Sequence, residues 1–251
     1  MPDDAHIDPK WYTRAFDALY PIVYAHRTVE AAEPEARGAA RMLRLSSDDR
    51  LLDLCCGAGR HLVHLLRVAP DACGIDYSPA LLARARTLLG PRAPIARADM
   101  RALPFGRAFD VVTSFFTSFG YFFDREENLR VAHEIARVLR PGGRFLIDHV
   151  NAAHVAQRLE PKSDENRAGY RLVSERWIDD ARRVNKRIRI YADGRLIDEV
   201  FESVQLYAPD AFRDLLAEAG LRVEALYGDF DGAPLDDAHP RMVAVGRSIA
   251  S

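Results

Sequence analysis

Along the middle of the chain, short apolar blocks alternate with longer stretches of helical spacing. Leu51-Leu52-Asp53-Leu54, Ala72-Cys73-Gly74-Ile75-Asp76, Phe109-Asp110-Val111-Val112-Thr113-Ser114 and Arg144-Phe145-Leu146-Ile147-Asp148 are such blocks, and a short one precedes Arg97-Ala98-Asp99-Met100. This pattern predicts buried parallel strands separated by helices. Ser78-Pro79 is an N-cap followed by a proline at the first helical position. A helix over 124–139 is predicted to start at Asp124, with Glu127 completing a capping box, and to stop at Arg140-Pro141-Gly142-Gly143. Before the first strand, residues 8–45 read as two helices. One carries an apolar stripe of Trp11, Phe16, Leu19 and Tyr20, and the other covers about 29–44. After the fifth strand the period changes to two. Tyr170–Ile178, Arg183–Tyr191 and Leu196–Tyr207 read as three strands with turn signals at Asp179-Asp180 and Asp193-Gly194, hence an antiparallel meander. Residues 209–248 return to the earlier pattern: a helix over Pro209–Ala219, Gly220 as its C-cap, and strands over Leu221–Tyr227 and Met242–Gly246. The chain divides into an N-terminal helical lid (1–45), a ligand-binding core (46–159), an antiparallel β insertion serving as lid or dimerisation element (160–207), and the end of the core (208–251).

The first strand runs into Cys55-Cys56-Gly57-Ala58-Gly59-Arg60-His61. Glycines at 57 and 59 let the chain turn sharply and let a small ligand approach bare amides. A dinucleotide is one candidate, but its G-x-G-x-x-G fingerprint needs a third glycine where this chain has Leu62. Asp76, ending the second strand, suits the acceptance of hydrogen bonds from ribose hydroxyls. In an open α/β sheet, ligands bind beyond the carboxyl ends of the strands. That places Gly57, Asp76, Asp99, Ser114 and Asp148 along one rim.

The Asp53-to-Gly59 spacing, with Asp76 and Asp99 in order, resembles the first motifs of class I S-adenosylmethionine-dependent methyltransferases. Tyr20-Pro21-Ile22-Val23-Tyr24-Ala25-His26-Arg27, together with Ser114-Phe115-Phe116-Thr117-Ser118-Phe119-Gly120-Tyr121, is similar to a small-molecule branch that includes amino-sugar N-methyltransferases. The resemblance implies an α/β, doubly wound seven-stranded sheet of order 3-2-1-4-5-7-6 with the last strand antiparallel. It also implies S-adenosyl-L-methionine as cofactor and S-adenosyl-L-homocysteine as product. Asp99 would accept from the adenine amino group while Met100 packs on the ring. Tyr24 would lie beside the methionine portion and Arg27 would pair with its carboxylate. The full cofactor set is then Tyr12, Tyr24, Arg27, Asp53, Gly57, Ala58, Gly59, Asp76, Tyr77, Asp99, Met100, Ser114 and Phe115. Phe116, Ser118, Tyr121 and Asn151 are assigned to the acceptor, within an aromatic cluster that also holds Phe119, Phe122 and Phe123. His149, just past the fifth strand, is the candidate base, because an unperturbed imidazole titrates near neutrality. His26 is the second candidate.

Composition narrows the alternatives. With 251 residues, 48% of them hydrophobic, the chain is one domain with an insertion. A formal net charge of −2 gives no general attraction to nucleic acid or anionic membrane. The acidic, polar start Met1-Pro2-Asp3-Asp4 is not signal-like, and the expected location is the cytoplasm, as a monomer or homodimer. Cys55, Cys56 and Cys73 lack zinc spacing and read as small core residues, so no metal is expected. The basic run Arg182, Arg183, Lys186, Arg187 and Arg189 reads as a solvated strand face over an apolar one. An RNA or protein methyltransferase is the alternative enzyme. Thr113-Ser114-Phe115-Phe116 stands where an Asn-Pro-Pro-Tyr-type motif would serve amide or adenine nitrogens. A catalytically silent S-adenosyl-ligand binding protein is the alternative from another class, and a nicotinamide oxidoreductase is disfavoured by Leu62.

Overall fold

The structure, a computed structural model, describes residues 6–17 and 19–249, so the Met1–Asp4 reading lies outside the described residues. The expected first helix is two single turns, α1 (Tyr12–Ala15) and α2 (Tyr20–Val23), followed by α3 (Val29–Leu43). Aromatic side chains hold the two turns in place of helix length. Trp11, for example, packs edge-on to Tyr121 at 4.9 Å between ring centroids.

The core then runs β1 (Leu51–Leu54), α4 (Leu62–Leu65), β2 (Cys73–Asp76), α5 (Pro79–Leu89), β3 (Ile95–Arg97), β4 (Phe109–Ser114), α6 (Arg125–Val138) and β5 (Leu139–Val150). The last of these starts earlier than expected, because Leu139 pairs with Phe109 before a bulge restores Arg144 opposite Val111. Asp124 caps α6 by accepting from the Glu126 amide, not through the expected box. Glu127 instead bonds Arg101. A turn of helix, α7 (Ala152–Arg158), leads out of β5.

The insertion has four strands, not three: β6 (Lys162–Arg167), β7 (Tyr170–Ile178), β8 (Arg183–Ala192) and β9 (Arg195–Gln205), antiparallel in sequence order. Lys-Ser-Asp-Glu-Asn-Arg carries no hydrophobic pattern, so β6 was invisible to a periodicity argument. As an edge strand rich in charge it also discourages pairing with other chains. The chain closes with α8 (Pro209–Glu218), β10 (Leu221–Tyr227) and β11 (Arg241–Ser248).

The large sheet has the order β3-β2-β1-β4-β5-β11-β10, with β11 antiparallel to both neighbours. This is the expected doubly wound topology. Alternation divides its apolar residues between two faces. Leu52, Ile75, Val112 and Phe145 pack against α6 and α8 through Leu129, Ile135, Phe212 and Leu215. Leu51, Val111, Leu146 and Val243 pack against α3, α4 and α5 through Ala36, Leu62, Leu65 and Leu82. Strand order reverses between β1 and β4, and a cavity lies in the crevice at that switch point.

The small sheet is completed by the N-terminal segment. Leu172, Ile188, Ile190 and Val200 bury against Val23, with Leu19 and Tyr24 beside them. Trp11 and Ala15 pack with Phe16, Tyr121, Trp177 and Phe201. N-terminal turns and insertion are thus one roof over the strand ends. Arg183 ties that roof to the core. It is 1% exposed and donates to the carbonyls of Gly120, Tyr121 and Phe122 and to Ser203. The expected alternation holds for Arg187 and Arg189 over the buried Ile188 and Ile190, but not at Arg183, which is buried with its neighbour in phase, Asn185.

Candidate active site

The cavity beneath this roof has a volume of about 730 Å³. Its floor is the loop after β1. Gly57 has φ +56, and a Cβ there would meet only Leu81 Cδ1 at 3.8 Å, so the glycine serves the backbone's turn and leaves space open. The Gly57 amide donates to Asp76 Oδ2 and the Ser78 amide to Asp76 Oδ1, both at 2.8 Å. Burial raises the Asp76 carboxyl above its ordinary value, while these amides pull it back. Each carboxylate oxygen keeps a lone pair for a ligand hydroxyl. Asp99 chelates the Arg101 guanidinium. Burial pushes its carboxyl up, but the Arg101 hydrogen bonds outweigh that and hold it low. Arg101 also reaches Tyr12 Oη at 3.3 Å, so α1 is tied to the end of β3.

The loop after β4 forms the next wall. Phe116 and Thr117 are consecutive residues with left-handed backbone, φ +57 and +58. Such strain persists only when neighbours enforce it. The buried Asp148 does so: its Oδ2 accepts from the Phe116 amide at 2.7 Å and its carbonyl from the Thr117 amide at 2.9 Å. Asp148 is itself paired with Arg241, which continues to Glu35 at 2.8 Å. Three guanidinium carbons surround the Phe116 ring: Arg60 at 4.0 Å, Arg241 at 4.4 Å and Arg27 at 4.6 Å. Arg27 also lies 3.7 Å over Tyr24 and donates to Tyr20 Oη at 2.8 Å, yet its buried Nε has no partner. A cation so placed invites an anionic ligand group.

Of the residues expected from sequence, Tyr12, Tyr24, Arg27, Gly57, Ala58, Asp76, Tyr77, Asp99, Met100, Phe115, Phe116, Ser118, Tyr121 and His149 line this one cavity. Several do not, each for a physical reason. Asp53 is buried behind the loop, accepts from Thr113 Oγ1 at 3.0 Å, and burial raises its carboxyl to about 7. Gly59 faces Leu89 and Ala85 of α5, where a Cβ would sit 3.0 Å from Leu89 Cδ1, so it serves helix packing. Ser114 is buried within β4. Asn151 caps α7 and donates to the carbonyls of Asp236 and His239. His26 is exposed and turns toward Arg167 of the insertion. Phe119 packs in the core on Phe212, and Phe123 is 42% exposed.

His149 reaches the cavity wall but is not exposed, with Nδ1 at 2.9 Å from the Val150 carbonyl and its ring between Tyr207 and Phe212. Burial lowers its pKa to about 4. The near-neutral titration expected of it is thereby corrected. His61, missed in the sequence, stacks on Phe115 at 4.1 Å, bonds Glu35, and is likewise lowered to about 4 by burial. Arg60, Arg241 and Glu202 were also missed. Arg60 directly follows the Gly-Ala-Gly loop. Arg241 comes from a distant strand that only topology brings alongside.

Comparison with known proteins fits this geometry. Residues 51–143 match a family described as a methyltransferase domain. The strand order is the one expected of class I methyltransferases, and residues 51–143 resemble their domain. Within the class it resembles amino-sugar N-methyltransferases. It is 34% identical over 132 residues to dTDP-3-amino-3,4,6-trideoxy-alpha-D-glucopyranose N,N-dimethyltransferase of Streptomyces venezuelae, a match covering 52% of this chain and 55% of the relative. That match therefore spans about half of the relative's length. The cypemycin N-terminal methyltransferase of a Streptomyces species is 28% identical over 90% of this chain and 97% of its own. Among solved structures, the sugar N-methyltransferase KedS8 of Streptoalloteichus sp ATCC 53650 superposes with a TM-score of 0.71, at 27% identity, over 98% of this chain and 97% of that one.

Proposed function

We propose that the protein transfers a methyl group from S-adenosyl-L-methionine to an amine nitrogen of a small-molecule acceptor in specialised metabolism. The observation that carries this reading is the composition of the cavity at the β1–β4 switch point. One half is a glycine loop with Asp76 and Asp99, and the other is an aromatic chamber roofed by the insertion. The residues fit the cofactor. Asp76 holds lone pairs for the ribose hydroxyls, Asp99 and Met100 stand where the adenine would be read, and the unpartnered Nε of Arg27 suits the methionine carboxylate. Tyr20 and Tyr121 add aromatic rings to the wall, while the Phe116 and Tyr24 rings already carry guanidinium groups. Once bound, the cofactor supplies an electrophilic methyl on a sulfonium. The chain's own work is to align the acceptor lone pair, exclude water and dispose of a proton.

An amine is favoured over a hydroxyl because the relatives named above act on amines. Among the described residues no helix is long and apolar enough to cross a membrane. The reading takes the protein as a cytoplasmic monomer or homodimer acting on a small molecule, and its near-neutral net charge gives no general attraction to nucleic acid. Calorimetry tests the cofactor half. S-adenosylhomocysteine should bind, NAD should not, and Asp76→Ala should weaken the former by about 1–3 kcal/mol, the cost of stranding hydrogen-bond partners. Binding of NAD with no response to either S-adenosyl compound contradicts the reading.

A further inference from the structure

Among the described residues lining the cavity, three carboxylates stand out. Asp76 and Asp99 end β2 and β3 beside the glycine loop. The third, Glu202, comes from β9 and enters from the roof. It lies in phase with Asp198, Val200 and Val204, on the face where Val200 packs with the N-terminal segment. Directly opposite it in the β8–β9 register is Lys186, itself in phase with Ile188 and Ile190. Glu202 and Lys186 thus form a charged pair, with Arg176 of β7 across from Lys186, at the end of the face that buries Ile188, Ile190 and Val200 and where the sheet meets the cavity.

Their connection is specific. Tyr24 Oη lies 2.7 and 2.6 Å from the two Glu202 carboxylate oxygens, and Lys186 Nζ lies 3.1 Å from the same hydroxyl. Lys186 donates to Tyr24, and Tyr24 donates to Glu202. The tyrosine is fixed in turn by Arg27, stacked 3.7 Å over its ring. Lys186 does not line the cavity, so Glu202 alone of the pair presents charge to it. Burial lowers the Lys186 ammonium pKa, and Glu202 acts against that. Of the other groups facing this cluster, Arg176 and Glu165 come from the insertion and Tyr20 from the N-terminal turns.

We propose that Glu202, oriented by Tyr24 and Lys186, binds the acceptor as its ammonium ion and takes the proton that must leave before methylation. This rests on the function proposed above and adds the residue that selects and prepares the acceptor. An ammonium in the aromatic chamber finds in Glu202 a cavity-lining carboxylate that keeps lone pairs beyond the one Tyr24 uses. In the proton step an N–H bond breaks and an O–H bond forms on Glu202. The pair left on nitrogen takes the methyl group, and the proton then passes from Glu202 to solvent. This assigns the task by geometry to a carboxylate that enters the cavity from the roof, whereas the fully buried His149 ring is held between Tyr207 and Phe212. Tyr24 and Lys186 are positioning residues.

The test uses the full chain. The probes are the amino-sugar nucleotide dTDP-3-amino-3,4,6-trideoxy-alpha-D-glucopyranose, its 3-hydroxy counterpart, and a short peptide with a free N-terminal amine. Wild type and the variants Glu202→Gln, Glu202→Asp and Lys186→Met are compared. For each, the affinity of S-adenosylhomocysteine, the affinity of each probe for the S-adenosylhomocysteine complex, and the pH profile of single-turnover methyl transfer are measured. Expected results are a change of no more than twofold in S-adenosylhomocysteine affinity for Glu202→Gln, and at least tenfold weaker binding of the amine that wild type methylates. Binding of the hydroxy compound should be unaltered. Transfer should slow at least a hundredfold, with the acid limb of the pH profile lost, and Glu202→Asp should recover part of both. Lys186→Met should keep amine binding within a few fold but displace the pH limb. Glu202→Gln with wild-type amine affinity and pH profile overturns the proposal. So does loss of S-adenosylhomocysteine binding in that variant, which would put Glu202 in the cofactor half while leaving the methyltransferase reading intact. A wild type that binds S-adenosylhomocysteine but methylates only the hydroxyl overturns it as well. A wild type that binds no S-adenosyl compound overturns the underlying function.

Discussion

Two buried titrating side chains beside the cavity have opposite consequences with pH. Asp53 is held in a folded environment that raises its carboxyl from the ordinary 3.8 to about 7, chiefly by burial. Between those values the unfolded chain has already released the proton that the folded chain retains. Raising pH therefore favours unfolding across that window, and the penalty is complete above about pH 7. Asp53→Asn keeps the shape and removes the charge. Its melting temperature relative to wild type should rise between pH 5 and pH 8, a change worth roughly 2–4 kcal/mol. A difference independent of pH would show that Asp53 is charged in the fold at both. His149 moves the other way. With a folded pKa of about 4, its ring is neutral throughout the neutral range. His149→Gln should accordingly change the rate by disturbing packing with Tyr207 and Phe212, while the profile between pH 6 and pH 8 keeps its wild-type shape. A near-neutral limb that vanishes in the variant would restore the histidine as base. At this scale the sequence identified what was local. Gly57, Asp76 and Asp99 follow directly from strand ends. Whether an acid faces the cavity or stands behind it depends on the turn of one loop, and so Asp53 and Gly59 were placed on the wrong side. Burial also decided the histidine's pKa, and burial is a property of the packed molecule.

Between elements, two attachments matter. The first is Arg183, whose buried guanidinium makes five hydrogen bonds, three to the loop after β4 and two to Ser203 of β9. Its pKa is lowered to about 10 by burial. Arg183→Ala strands those acceptors in the interior and should destabilise the protein by about 3 kcal/mol. Urea denaturation measures the loss, and an effect under about 1 kcal/mol would mean that water replaces the side chain. The second attachment is the N-terminal segment. Removing residues 1–27 takes away Trp11, Leu19, Val23 and Tyr24, which cover one face of the small sheet. Hydrogen exchange should then accelerate across β7–β9 while the large sheet stays protected, and S-adenosylhomocysteine should bind more weakly because Tyr24 and Arg27 are gone. Unchanged protection of β7–β9 would show that the small sheet stands without the segment. The strand alternation in 183–205 was legible. What it concealed is that Lys186 and Glu202 fall in phase with Ile188, Ile190 and Val200, a sign of function that periodicity offers once the two strands are known to pair. The charged edge strand β6 carries no such sign, since its pairing comes from β7 and not from its own side chains.

The molecule as a whole divides its task between two sheets. The doubly wound sheet, fixed by apolar blocks and turn residues, builds the cofactor half of the cavity. The antiparallel sheet and the N-terminal turns roof the cavity and bring Glu202 and Tyr24 to its wall. On the proposed function, acceptor choice would reside in residues far apart in sequence, which is why the resemblance to methyltransferases was legible in the chain and the acceptor was not. The most direct test of this account is transfer of an isotopically labelled methyl group. Wild-type protein is incubated with methyl-labelled S-adenosylmethionine and the amine and hydroxy probes described above, and label is followed by mass spectrometry. The account predicts that label appears on the nitrogen of an amine, with one S-adenosylhomocysteine formed per methyl transferred. Binding of the cofactor with label reaching only the hydroxyl, or reaching neither probe nor any amine in a wider panel of small molecules, would contradict it.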